Sequence, residues 1–445
     1  MSTEIFSDST YLNFLQNLVN FGADFGKQKI SNIINRNVII AQMIPRKCES
    51  VQLELMNALK DTEFSISFSK WCNTRDEHYV TVFGYFFSSD FEYRTHILGT
   101  RRCYENENVM SVVREISDGY KTVKDAKLKC VSDVTEDDFE IFPCIVSQIS
   151  KVITTAINCS HESRHLFKKL STFAHEVIGI SMKNSFEAAS NDQKVKVLFE
   201  LYQHFKSNED LQRDGMIEKF MQLLGPLFSA ITSLTESADD GTRCVTANKV
   251  YLWFTKLLKL YGTKQVNDEI AATICKTVEA IKIHEIYQVA VFLDPNFKNL
   301  KFLDSSERSI LLDIVKKNLQ KMMGDDDSSE LPEKKQKINQ SKSPVNDTFI
   351  EFMDITMESV DDQVNSEIQC YMGHKLDNQV DTVEYWRENE CFPYLKKLAL
   401  NFLNLPSCTF HSNCCFLSSG NEFYQKCQNL PADDIETLTF LHQNL

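Results

Sequence analysis

The sequence predicts an α/β core that is interrupted by a long all-helical stretch and completed by its C-terminal residues. Three observations predict it. Apolar residues alternate with period two between Phe64 and Leu98. The period becomes helical across 145–320. A polar, charged stretch at 324–346 then separates this run from a second apolar block at the C-terminus.

Residues 1–60 read as a helical region. Leu15, Leu18, Val19 and Phe21 make one short stripe. Val51, Leu53, Leu55 and Leu59 make another, partly in phase, and Pro45 stands between the two. Phe64, Ile66 and Phe68 then alternate with Ser65, Ser67 and Ser69, which predicts a half-buried strand. Residues 78–87 (HYVTVFGYFF) and 91–98 (FEYRTHIL) follow as strands around a polar turn at Ser88–Asp90. Val109, Val112, Val113 and Ile116 have helical spacing. AKLKCVSD and DFEIFPC read as a fourth and a fifth strand.

The middle of the chain is helical in pattern. Leu198, Leu201, Tyr202 and Phe205 form one stripe, and Ile217, Phe220, Met221, Leu224 and Phe228 form another. KVYLWFTKLLKLYG closes on Gly262, a residue suited to a helix end. Residues 324–346 are almost without apolar side chains and read as a solvated linker.

In the C-terminal block Leu395, Leu398, Ala399, Phe402 and Leu403 fall on one helix face, with Lys396 and Lys397 on the other and Pro406 as a stop. Asp433 and Glu436 have the spacing of a capping box, and Ile435, Leu438, Leu441 and Leu445 continue an apolar face to the last residue. A terminal helix this apolar must pack on something, either its own core or a second copy.

Composition bounds the function classes. A chain of 445 residues admits two or three domains, or one domain with a large insertion. No run of eighteen apolar residues indicates a membrane span, and the first residues do not read as a signal peptide. Fourteen scattered cysteines suit reduced thiols in cytosol or nucleus. A net charge of −14 argues against a broad grip on DNA, leaves room for a local basic groove, and favours protein contacts. Thirteen glycines form no phosphate-cradling loop, and the ten histidines form no triad-like grouping.

The block from Val380 onward carries Tyr385-Trp386, Phe392-Pro393 ahead of a Leu/Ala-rich helix, a Leu405-Pro406 turn, FLSSGN at 416–421 and LTFLHQN at 438–444. It resembles the C-terminal block of hAT-superfamily transposases. VFLDPNFKNLKFLD at 291–304 is similar to that family's Leu-Asp-Pro segment, and the order of three strands, a helix and two strands is similar to an RNase H-like sheet. The resemblance spans most of 45–445. It implies an α/β RNase H-like core interrupted by a large all-helical insertion, with a C-terminal helical dimerisation region completing the core. The implied boundaries are 1–60, 61–158, 159–323, the linker 324–346, and 347–445. In the block Tyr385, Trp386, Phe392, Pro393, Leu395, Leu398, Phe402, Phe416, Ile435, Leu438 and Leu441 are then residues of the dimer interface or of the C-terminal core. Trp71 is likewise a residue of the fold.

Such transposases cut DNA with two divalent metals held by three carboxylates, because each metal needs hard anionic oxygens. The resemblance puts the first at Ser69, two residues before Trp71, the second at Asp133 in CVSDVTEDD, and the third at Asn413 in HSNCCF. Ser and Asn carry no charge, so two of the three are replaced. Asp76, Asp137 and Glu422 are the neighbouring carboxylates that would have to stand in. Ser147 also stands where the family's Cys-x-x-His, begun here by Cys144, has its histidine. The family's N-terminal BED zinc finger needs paired Cys and His, but Cys48 is the one Cys in the first seventy residues and no His precedes His78, so the finger is expected to be absent.

The expectation is therefore a domesticated, catalytically inactive transposase-like protein of the nucleus. It needs no cofactor and no metal. It forms a homodimer, contacts DNA or nuclear proteins, and serves transcription or chromatin control. The rivals are an active or partly active metal-dependent transposase, and a decaying transposon copy. Three further motifs have plain alternatives. Cys408, His411, Cys414 and Cys415 have spacing within the range of zinc ligation, against small half-buried residues at a turn. Lys334, Lys335 and Lys337 suggest an import signal, against a solvated linker. Ser343-Pro344 suggests a phosphorylation site, against a common dipeptide.

Overall fold

The computed structural model describes residues 43–444 apart from 61, 74, 121–127, 133–137, 179–190, 208, 210, 211, 213, 214, 236–246, 263–268, 327–359 and 410–429. It is a mixed α/β structure with one five-stranded sheet and a long run of helices.

The first described helix, α1 (Ile44–Leu59), has Pro45 in its first turn, where a missing N–H costs nothing. Val51, Leu55 and Leu59 are buried, one turn apart. Leu53 belongs to the opposite side and is 60% exposed, so it leaves the expected stripe.

The sheet is built from β1 (Phe64–Cys72), β2 (His78–Phe87), β3 (Tyr93–Cys103), β4 (Leu128–Val131) and β5 (Phe139–Phe142), with α2 (Val109–Asp118) between β3 and β4. Its order is β3-β2-β1-β4-β5. β1, β2 and β3 are antiparallel neighbours, and β4 and β5 run parallel to β1. α2 packs on β2 and β3. Gly99 allows this approach, since a Cβ there would lie 3.0 Å from Ile116. β3 extends five residues beyond the expected Leu98, through the polar Thr100, Arg101 and Arg102.

β1 is not half-buried. Ser65, Ser67 and Ser69 are as inaccessible as the aromatic and aliphatic side chains opposite. Two hydroxyls on this face have visible partners. Ser65 donates to the Asn404 carbonyl at 2.7 Å, and Ser67 shares a 2.8 Å hydrogen bond with the Tyr85 hydroxyl. Residues 403–408 are all buried and lie over this face. Asn404 also donates to the Glu63 carbonyl, Ala247 N–H donates to the Leu405 carbonyl, and Ser407 donates to the Leu234 carbonyl.

Among the described residues, seven helices lie between β5 and the turn at Leu293. They are α3 (Ile145–Asn158), α4 (His161–Ile178), α5 (Asn191–Ser207), α6 (Gly215–Thr235), α7 (Asn248–Gly262), α8 (Glu269–Glu279) and α9 (Glu285–Phe292). α3 is the hub of the group, packing against α4, α5, α6 and α8 with most of its side chains buried. The stripes expected on α5 and α6 are core, with Leu198, Leu201, Tyr202, Ile217, Leu224 and Phe228 buried. The side chain of Phe220 lies outside the described residues.

α10 (Ser305–Asp326), α11 (Val360–Gly373), α12 (Thr382–Glu388), α13 (Pro393–Phe402) and α14 (Ala432–Asn444) complete the described chain. α10 runs through residues 324–326, so the first residues of the expected linker are helical; the rest of it, with Lys334, Lys335, Lys337 and Ser343-Pro344, lies outside the described residues. α13 ends at Phe402, ahead of Pro406, because the chain turns there to cross the sheet.

α14 packs along β3, the edge strand, and against α1. Edge strands expose unpaired backbone groups. Here two side chains of α14 satisfy them. Glu436 accepts from Arg102 N–H at 2.7 Å, while the Asn444 amide accepts from Ile97 N–H at 3.0 Å and donates to Ile97 C=O at 2.8 Å. The expected capping box is therefore not formed. The helix begins at Ala432, Asp433 lies inside its first turn, and Glu436 is turned to the sheet edge.

The turn after α9 ties the helices together. The fully buried Trp386 indole donates to the Leu293 carbonyl at 2.7 Å, and Tyr371 donates to the Phe292 carbonyl at 3.1 Å. Asn296 grips the Val380 backbone through both its amide atoms. The buried Asp294 accepts from Asn248 and from Asn296. Trp386→Phe keeps most of the apolar volume but orphans the Leu293 carbonyl. It is expected to cost about 1–3 kcal/mol, read as a lower denaturant midpoint with unchanged slope.

Candidate functional site

The place to build from is the C-terminal end of β1. Ser69 pairs with Thr81 on β2, and Thr81 pairs with Thr100 on β3. Directly opposed residues share a face, so three hydroxyls form one rung across three strands. Ser69 is 3% exposed, and Thr81 and Thr100 share a 2.9 Å hydrogen bond. Trp71 stands one pleat further along the same face. Its indole donates to Thr81 at 3.1 Å, and its ring stacks on Tyr79 at 4.7 Å. Lys70 points to the other face and is exposed, as strand alternation requires.

Glu77, in the turn between β1 and β2, is a carboxylate at this end of the sheet. Asn73 donates to it at 2.7 Å, Tyr79 at 3.2 Å, and Arg102 pairs with it at 3.1 Å. These contacts, led by the Asn73 hydrogen bond, hold the Glu77 carboxyl below the usual carboxylate range. Burial, followed by the negative Glu77, pushes Tyr79 up to about 12, so Tyr79 stays a donor. Glu77 is thus an ionised, fully engaged structural group. The rung itself offers neutral oxygens only, which are poor ligands for a divalent metal. No group of three His, Cys, Asp or Glu side chains arranged to hold a metal occurs among the described residues.

Asp133 and Asn413 lie outside the described residues, as do Asp137, Glu422, Phe416, His411, Cys414 and Cys415. The described part of β4 ends at Val131, opposite Ser67, two residues before Asp133 in the chain. Cys144 is the N-cap of α3; its sulfur accepts from both the backbone N–H and the hydroxyl of Thr409 at 3.4 Å. Cys408 is buried against the Leu234 carbonyl.

The residues nominated in the C-terminal block are largely consumed within a single chain. Tyr385, Trp386, Phe392, Leu395, Leu398, Ile435 and Leu441 are buried, Phe402 and Leu438 are half-buried, and Pro393 is exposed in the first turn of α13. Tyr385 shares a 2.9 Å hydrogen bond with His374. Leu395 N–H, in the first turn of α13, donates to Glu367 at 2.7 Å, which places a negative charge at a helix start. Burial pushes the Glu367 carboxyl up, and this hydrogen bond pulls it back.

Thr81, Thr100, Glu77 and Arg102 were not singled out from the sequence. Thr81 and Thr100 sit at positions that only the strand register relates.

No protein-family model matches the chain. A mouse protein, "Zinc finger BED domain-containing protein 6", is 33% identical over 66 residues. That match covers 15% of this chain and 7% of the mouse protein. It is a local similarity to a protein whose name carries a BED zinc finger.

Ser69→Asp would bury a charge among hydroxyls that hydrogen-bond one another. It is expected to destabilise the fold by on the order of 3 kcal/mol in chemical denaturation, with no recovery on adding manganese.

Proposed function

We propose that this chain is a hAT-transposase-like protein that no longer cuts DNA and works in the nucleus through self-association and contacts with DNA or nuclear proteins, in transcription or chromatin control. The observation that carries the reading is the rung of Ser69, Thr81 and Thr100. The buried, neutral hydroxyl of Ser69, in register with the hydrogen-bonded pair Thr81 and Thr100, stands at the position where the resemblance asks for the first metal-binding carboxylate. The strand order β3-β2-β1-β4-β5, antiparallel then parallel, supports an RNase H-like core, and α3 to α9 support a helical insertion after β5. The short similarity to a BED-finger protein supports the family.

Self-association would draw on the C-terminal block. Of its nominated residues, Pro393 is exposed, and Phe402 and Leu438 keep part of their surface outside the core. Sedimentation of the full chain at micromolar concentration is expected to give a dimer, and a monomer there removes self-association from the reading.

Loss of cleavage has its own test. Supercoiled plasmid incubated with the full chain and magnesium or manganese is expected to stay intact, with Asp133→Ala indistinguishable. Nicking that disappears in Asp133→Ala would establish an active metal-dependent transferase instead.

A further inference from the structure

We propose that the outer face of α1 is the docking surface for a segment of the same chain, residues 11–21, which seats on it as an amphipathic helix. α1 packs on α14, and its inner side buries Val51, Leu55 and Leu59. Its outer side carries Leu53, 60% exposed, and Met56, 43% exposed, about one turn apart. Among the described residues no other helix exposes two large apolar side chains; Leu260 is single on α7 and Ile310 on α10. Single exposed apolar residues are ordinary on a surface, so the pair on α1 stands apart.

The chain that leads into α1 supplies the occupant. Residues 1–42 precede Met43, the N-cap of α1, and lie outside the described residues. Within them Tyr11, Leu12, Leu15, Leu18 and Val19 have helical spacing and fall within about 120° of arc. Asn13, Gln16, Asn17 and Asn20 take the opposite side, and Gly22 follows as a suitable helix end. No residue from Ser9 to Ala23 is charged. A helix this short has little stability in water by itself, so it forms where its apolar side is covered. Arg46, Glu49 and Lys60 share the outer face with Leu53 and carry both signs, so a segment without charge meets no repulsion there. Reach is no obstacle. Leu53 lies about 15 Å along the helix from Met43, and a chain the length of residues 22–42 spans about 25 Å on average even as a coil. The tether also holds the segment near α1 at a high effective concentration, which favours it over a free partner. α1 thereby contacts residues from both the N-terminal and the C-terminal parts of the chain.

The test is amide hydrogen–deuterium exchange of the full chain, read peptide by peptide by mass spectrometry. The amides of 11–21 are expected to exchange at least about tenfold more slowly than the unstructured rate. The variant Leu53→Gln, Met56→Gln should remove that protection, and Leu15→Gln, Leu18→Gln should remove it to the same extent. Combining the four should remove no more than either pair, because both pairs break one contact. Ile310→Gln, at a similarly exposed apolar position on α10, should leave it intact. Unchanged protection of the amides of Val51, Leu55 and Leu59 shows that α1 stays folded in each variant. Exchange of 11–21 at the unstructured rate in the unaltered chain overturns the proposal. So does protection that survives Leu53→Gln, Met56→Gln, since the segment then packs elsewhere. Protection that falls at a hundredfold lower protein concentration overturns it too, in favour of a second copy as the occupant.

Discussion

Residues 403–409 can cross the sheet because β1 presents hydroxyls on that face. A backbone segment carries carbonyls and N–H groups wherever it goes, and burying them without partners is costly. Ser65 answers the Asn404 carbonyl, Ala247 N–H answers the Leu405 carbonyl, Cys144 accepts from Thr409 N–H, and the Ser407 hydroxyl ties the segment to the Leu234 carbonyl. A ring or branched aliphatic chain at residue 65 would both clash with the segment and leave its carbonyl unmet. The alternation of large and small on β1 is thus a packing code with two buried sides. The sheet, the helical run and the C-terminal helices meet along this one segment.

Charge is placed to match. Lys129 lies across from Ser65 on β4, and its ammonium donates to the Asn401 carbonyl at 2.6 Å, near the C-terminus of α13. A cation at that end complements the helix dipole. Burial pushes the Lys129 pKa down, and Glu63 and Glu140 offset part of that. The opposite end of α13 receives Glu367. One short helix is therefore held by an anion at its start and a cation at its end, and its last turn delivers the chain onto the serine face.

The strands and most helices were legible in the sequence because their periods are undisturbed. The five strands appear in the expected order, and the stripes on α5, α6 and α13 are core. What the sequence hid follows from three physical causes. The serine face read as solvent-facing because hydroxyls satisfy either water or a buried carbonyl, and only the tertiary partner decides. The end of β3 was hidden by Arg101 and Arg102, whose charges suit a loop; their backbone is held in the sheet by β2 on one side and by Glu436 on the other. The capping-box spacing of Asp433 and Glu436 matched a local rule that a long-range hydrogen bond overrode. At the candidate site, Ser69 was placed by resemblance, but its rung partners Thr81 and Thr100 depend on a register that no single strand reveals.

The two ends of the sheet's open side show how a fold can be kept apart from a chemistry. At the edge, α14 meets the unpaired groups of β3 with an Asn side chain that mimics a peptide unit and with a carboxylate. At the end of β1, hydroxyls and the Trp71 indole satisfy one another. A metal-binding carboxylate in such a place must be kept charged and only partly satisfied, which costs stability until the metal arrives. A rung of neutral hydroxyls has no such cost. On the proposed reading, a serine in place of such a carboxylate would remove a strain on the core while leaving the rest of the sheet unchanged.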